Sequence, residues 1–212
     1  MIAPPAQPGR FIALEGGEGV GKSTQLKMLS AALRARGMAV VTTREPGGTP
    51  GAEQIRAMLL DTAGDGWGPR AEALLFAAAR ADHVDRLIRP ALLRGEWVLT
   101  DRFLDSSRAY QGGGSGLDDG DILALHAIGS AGLLPDRTVL LECDPAQAAA
   151  RLALRDHGQN DRIGGRDTAY HARVAAAFRR FANADPQRFA IIDAGGTPDA
   201  VHARVLSALA DL

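Results

Sequence analysis

The sequence predicts an α/β fold: three layers, with a five-stranded parallel sheet flanked by helices. Three observations predict it. Short apolar runs alternate with stretches of helical period along the chain. The first apolar run leads into Gly16-x4-Gly21-Lys22-Ser23 and then a helix, which is the strand, loop and helix order of a phosphate-binding loop. The 212 residues show no internal repeat and no dividing linker, so they fit one domain with a substantial core.

"RFIALEG" (10–16) reads as a buried strand ended by glycine. From about Lys22 a helix puts Leu26, Leu29 and Leu33 on one face and stops at Gly37. "MAVVTTR" (38–44) is the second strand, followed by the loop "EPGGTPG" (45–51) and the helix "AEQIRAMLLD". A long helix is expected over 69–95, started by Pro69 and kinked or ended near Pro90. "EWVLTD" (96–101) is the third strand, and a helix, "LDDGDILALHAIGSAG", follows a glycine-rich loop. "RTVLLEC" (137–143) is the fourth strand and "PAQAAARLALRD" a helix. "HGQNDRIGGRD" (157–167) is a charged loop, "TAYHARVAAAFRRFANA" a helix, "RFAIIDA" (188–194) the fifth strand, and "TPDAVHARVLSALADL" the closing helix. This alternation means right-handed crossovers and a parallel sheet covered on both faces.

Composition narrows the function. A net charge of −1 argues against bulk nucleic-acid binding. Only Lys22 and Lys27 are lysines among 24 basic residues, so a lysine inside the glycine loop stands out. The single cysteine, Cys143, excludes an internal disulfide, suits a reducing cytoplasm and reads as a small core residue. No apolar run approaches a membrane span, and residues 1–9 read as a frayed tail rather than a signal peptide. The five histidines show no metal-ligand spacing and read as surface or packing residues.

Residues Gly16, Gly17, Glu18, Gly19, Val20, Gly21, Lys22, Ser23 and Thr24 should cradle a nucleoside triphosphate. Backbone N–H groups and the helix dipole face the phosphates, Lys22 reaches the outer ones, and the Ser23 hydroxyl ligates Mg²⁺. Arg44 ends the second strand, and Asp101 and Arg102 end the third. Ligands of open parallel sheets bind beyond the carboxyl ends of the strands, so these residues can converge on the loop. Phe76 and Arg80 lie four apart on one helix face. The set suits a nucleoside monophosphate: arginines for its phosphate, Phe76 to stack on its base, Arg80 for the base edge. Singly, Phe76 would read as core, Arg80 as a solvated face and Asp101 as a helix cap.

"FIALEGGEGVGKST", "TREPGGT", "FAAAR", "VLTDRF", "SSRAYQGGG" and "DRI" resemble, in order and spacing, the signatures of the thymidylate kinase family over nearly the whole chain. The resemblance implies phosphorylation of dTMP with ATP in dTTP biosynthesis, the nucleoside-monophosphate-kinase fold with a mobile lid (about 157–167), and a homodimer. It implies that Glu18, a carboxylate inside a phosphate loop, meets the 3′-hydroxyl of dTMP. Tyr110 matches a position that favours deoxyribose, and Ser107 and Gln111 match positions near the base. Relatives with an arginine after the loop carboxylate use it on the transferring phosphate. Gly19 stands there in this chain, which points to a lid arginine, Arg162 before Arg166. Phe103 departs from the tyrosine or histidine of many relatives.

The implied catalytic set is Lys22, Arg102, Arg162 and Glu18 with Mg²⁺ at Ser23 and Asp101, the last directly or through a water. The acceptor phosphate is already ionised, so no general base is needed and catalysis reduces to alignment and charge neutralisation. A kinase for another monophosphate or a deoxynucleoside shares most of these features, and a substrate panel separates it. A P-loop ATPase or switch shares only the loop, and would hydrolyse ATP without an acceptor.

Overall fold

A computed structural model of the chain describes residues 9–156 and 162–212. The elements are β1 (Phe11–Glu15), α1 (Lys22–Ala35), β2 (Val40–Arg44), α2 (Pro50–Leu60), α3 (Pro69–His83), a π-helical turn (Val84–Ile88), α4 (Arg89–Leu93) and β3 (Trp97–Asp101). They continue with α5 (Leu104–Ser107), a π-helical segment (Arg108–Gly114), α6 (Asp119–Ser130), β4 (Arg137–Glu142), α7 (Pro145–Asp156), α8 (Thr168–Ala184), β5 (Phe189–Asp193) and α9 (Pro198–Ser207). The five strands form one parallel sheet in the order β2-β3-β1-β4-β5.

The side chains of β1 alternate between two cores, as the period of a strand requires. Ile12 and Leu14 join Leu26, Leu29 and Leu33 of α1 and Val201 and Val205 of α9. Phe11 and Ala13 join Ile88, Ala91, Val98 and Phe103 on the other face. A third cluster packs α8, through Val174, Phe178 and Phe181, onto Tyr110 and Leu140. Register brings the C-terminal ends together, with Leu14 opposite Asp101 and Asp101 opposite Arg44. Three segments far apart in sequence therefore meet at one edge of the sheet.

The elements differ from expectation at several points, among them the closing helix, which ends at Ser207 rather than Leu212. β2 begins at Val40 rather than Met38, because the Met38 N–H closes α1 on the Leu33 carbonyl. The long helix over 69–95 changes pitch at the π-helical turn and ends as α4, with Pro90 inside its first turn. The glycine-rich stretch after β3 is helical rather than a loop. Its glycines admit α8 closely: a Cβ on Gly114 would lie 2.5 Å from the Tyr170 ring, and one on Gly113 would lie 2.4 Å from the Ala177 methyl.

The tail expected over 1–9 lies outside the described residues except for Gly9, whose N–H donates to Leu92 O. The expected lid is described from Arg162 onward, and Gly158 lies outside the described residues. Cys143 packs, partly buried, against the α1/α9 core.

Candidate active site

A cavity of about 630 Å³ opens along the C-terminal edge of the sheet, within the range of nucleotide-sized sites. The glycine loop forms one end of it, through Glu18, Gly19, Gly21, Lys22, Ser23 and Thr24. Arg44, Phe76, Ser107, Tyr110 and Gln111 line the same cavity. Asp101 and Arg102 line it as well.

At the loop end, the Lys22 ammonium donates to the Gly17 carbonyl at 2.6 Å and the Gly16 carbonyl at 3.2 Å. Burial, and then the charge of Arg102, pull it from its ordinary 10.5 down to about 8. The Ser23 hydroxyl donates to Asp101 Oδ2 at 2.8 Å, so Asp101 meets the loop instead of capping α5.

Arg102 has φ 72, a left-handed backbone uncommon for a residue with a side chain. Its Nη1 donates to Gly16 O at 3.0 Å and Ser106 Oγ at 3.2 Å, and its Nη2 donates to Glu18 Oε1 at 2.5 Å. The guanidinium lies 4.9 Å from the Tyr110 ring centroid. Behind it stands Glu15, fully buried. Its carboxylate accepts from Phe103 N, Ser106 N and the Ser106 hydroxyl. Burial, and then the charge of Asp105, push Glu15 from 4.5 up to about 7.

Phe76 is both wall of the cavity and core. The Arg80 guanidinium stands one layer behind that wall, 3% exposed, and does not line the cavity. Its Nε donates to Glu45 Oε2 at 2.7 Å, and its Nη2 donates to Phe103 O and Ser107 Oγ. Glu45 also pairs with His83, whose other ring nitrogen meets Thr43. His83 thus belongs to a buried polar network behind the site, more than the packing role expected of it. Gln111 donates to Glu72 at 2.9 Å, and Arg44 meets both oxygens of Glu53 at 3.0 Å.

Neither lid arginine faces the cavity. Arg162 donates to the carbonyls of Asp61, Ala63 and Gly64, just beyond the end of α2. Arg166 pairs at 2.5 Å with buried Glu72 and stacks on Tyr170. Ile163, between them, does line the cavity.

A family model described as thymidylate kinase matches residues 14–205. The chain belongs to the thymidylate kinase family. It is 63% identical to the thymidylate kinase of Rhizorhabdus wittichii, over 97% of this chain and 99% of that relative. It is 50% identical to that of Leifsonia xyli subsp. xyli, over 97% and 96%. The crystal structure of thymidylate kinase from Ehrlichia chaffeensis superposes with a TM-score of 0.78 at 31% identity, covering 95% of this chain and all of that one.

Sequence reasoning missed several residues in and behind this cavity. Glu45 stands inside "TREPGGT", and His83 lies three residues after Arg80 on the same helix face, a spacing that could have flagged it. Arg151 and Leu152 of α7 line the cavity, though nothing in an alanine-rich helix marks them. Glu15 was hidden inside an apolar strand.

Gly19 has a physical reason to follow the loop carboxylate. Its φ is +72, and a Cβ there would lie 2.3 Å from the Ala148 carbonyl of α7. Gly19→Ala is expected to destabilise the protein by at least about 1 kcal/mol, from the strained φ and the clash together. Urea denaturation of the variant checks this, and an unchanged midpoint would show that α7 yields freely.

Proposed function

We propose that the chain transfers the γ-phosphoryl group of ATP to the phosphate of dTMP, giving ADP and dTDP. Family membership supports the reaction. The observation that carries the residue roles is a single cavity lined by the phosphate loop, Phe76 and Arg102 together.

In this reading ATP lies along Gly16–Thr24, and Lys22 exchanges its loop carbonyls for the outer phosphates. The monophosphate lies at the other end, with its base on Phe76. Ser107 and Gln111 meet the base edge, held from behind by Arg80 and Glu72, and Tyr110 packs against the sugar. The 3′-hydroxyl goes to Glu18. Arg102 then exchanges Glu18 for the acceptor phosphate, joined by Arg44. Two anions repel, and the cations that hold them in line also neutralise the transferring group. The two oxygens of Ser23 and Asp101, 2.8 Å apart on the cavity wall, fit a hard cation that keeps most of its waters. These residues would hold Mg²⁺, which when bound with ATP neutralises charge on its phosphates.

Of the two lid arginines, Arg162 is the better candidate to swing inward. Its partners are exposed carbonyls, whereas Arg166 pairs with a carboxylate that is 2% exposed. Exposed Leu74 on α3 and Ile128 on α6, two helices that pack together, support a homodimer. A cytoplasmic location fits the single free thiol.

ADP release is expected to require dTMP, and to be faster with dTMP than with dUMP, UMP, dCMP, AMP or GMP. ADP release without any acceptor, or equal rates across the panel, would refute the assignment. Arg162→Ala is expected to lower kcat at least about a hundredfold, since arginines acting on transferring phosphoryl groups contribute on the order of 10³–10⁵. A raised KM for ATP with kcat intact would make Arg162 a binding residue.

A further inference from the structure

We propose that Glu15 is a positioning residue for Arg102. Through Ser106 it holds the Nη1 end of the guanidinium in place, while the Nη2 end exchanges Glu18 for substrate phosphate. The proposal rests on the reading in which Arg102 meets the acceptor phosphate.

The case begins with the backbone. A left-handed residue other than glycine costs on the order of 1–3 kcal/mol and persists only where its surroundings over-determine it. Arg102 is pinned on three sides. Its N–H donates to Leu14 O at 2.9 Å, and its carbonyl accepts from the Thr100 hydroxyl at 2.9 Å. The N–H of the next residue, Phe103, donates to Glu15 at 2.8 Å. Glu15 also takes the Ser106 N–H at 3.0 Å, so both ends of the turn after Arg102 converge on one carboxylate.

The side chain is tied to the same group. The Ser106 hydroxyl gives its proton to Glu15 Oε2 at 2.6 Å, which aims an oxygen lone pair at Arg102 Nη1. A serine without that acceptor could rotate and donate elsewhere. Glu15 itself is fully buried and lies outside the cavity lining, so substrate does not reach it. Charged and polar neighbours face it from three elements: Asp105 on α5, Lys22 on α1 and Tyr110 on the π-helical segment. A carboxylate buried near Asp105 is an expensive way merely to join a strand to a turn. Holding a rigid guanidinium in place while its other end exchanges one oxygen partner for another gives it a use.

The test is steady-state kinetics at pH 8 on Glu15→Gln, Ser106→Ala, the double variant and Arg102→Ala. Glutamine keeps the oxygen that takes the two N–H groups but offers an N–H where the serine proton needs an acceptor. Glu15→Gln is expected to lower kcat about ten- to a hundredfold, the cost of slight misplacement, with KM for ATP unchanged. The double variant should be no worse than the worse single one, because the two residues act in series. A merely structural Glu15 would lower Tm and leave kcat per folded molecule within twofold, which overturns the proposal. So would losses that multiply in the double variant. If Glu15→Gln does not fold, Ser106→Ala decides alone: kcat within twofold of wild type overturns the proposal. Normal kcat in Arg102→Ala would remove the assignment of Arg102 and this proposal with it. An impaired Arg102→Ala beside a normal Glu15→Gln would remove this proposal only.

Discussion

In the proposed transfer, Arg102 presents a positive charge where two anions meet, and it is in place before either arrives. Much of the site follows from that constraint. The parallel sheet brings the end of β3 beside the end of β1, so Asp101 and Arg102 fall next to the glycine loop. The left-handed turn at Arg102 lets Asp101 meet Ser23 while the next side chain reaches Gly16 and Glu18. Backbone bonds to Leu14, Thr100 and Glu15 keep that turn from relaxing.

The other cations around the cavity follow a common pattern. Each has an oxygen partner of the kind that a phosphate can replace. Lys22 uses loop carbonyls, Arg44 uses Glu53, Arg56 uses Pro46 O, and Arg151 uses Ala194 O. Binding an anionic substrate is then an exchange of oxygens around each cation. Glu18 is the partner of Arg102 in this sense. In the proposed function it yields the arginine to the monophosphate and meets the sugar, a reading that accounts for a carboxylate inside a phosphate loop.

The fold and the phosphate loop were legible because both depend on local signals. Leu26, Leu29 and Leu33 mark one helix face, the glycines mark the loop, and the alternation of strands and helices implies the parallel sheet. The residues that converge on the loop were legible through strand ends and the family's motifs. What stayed hidden depends on contacts between distant segments. Gly19 reads as a missing arginine in sequence, and only the Ala148 carbonyl shows why no larger residue stands there. Arg80 reads as a base contact, yet Glu45 and Ser107 hold its guanidinium behind the cavity wall. Glu15 looked like one more residue of a buried strand, because no local pattern reports what a carboxylate will face. The pitch changes at Val84–Ile88 and Arg108–Gly114 likewise answer to packing against neighbouring elements rather than to propensity.

The central claim is that Arg102 is held at one end and exchanges partners at the other. A crystal structure of the protein with dTMP bound tests it most directly. The account predicts that Nη2 leaves Glu18 for the dTMP phosphate and that Glu18 turns to the 3′-hydroxyl. Nη1 should keep its contacts with Gly16 and Ser106, and φ of Arg102 should stay positive. A complex in which Arg102 still pairs with Glu18, or in which the whole guanidinium leaves Gly16 and Ser106 to reach the phosphate, would contradict it.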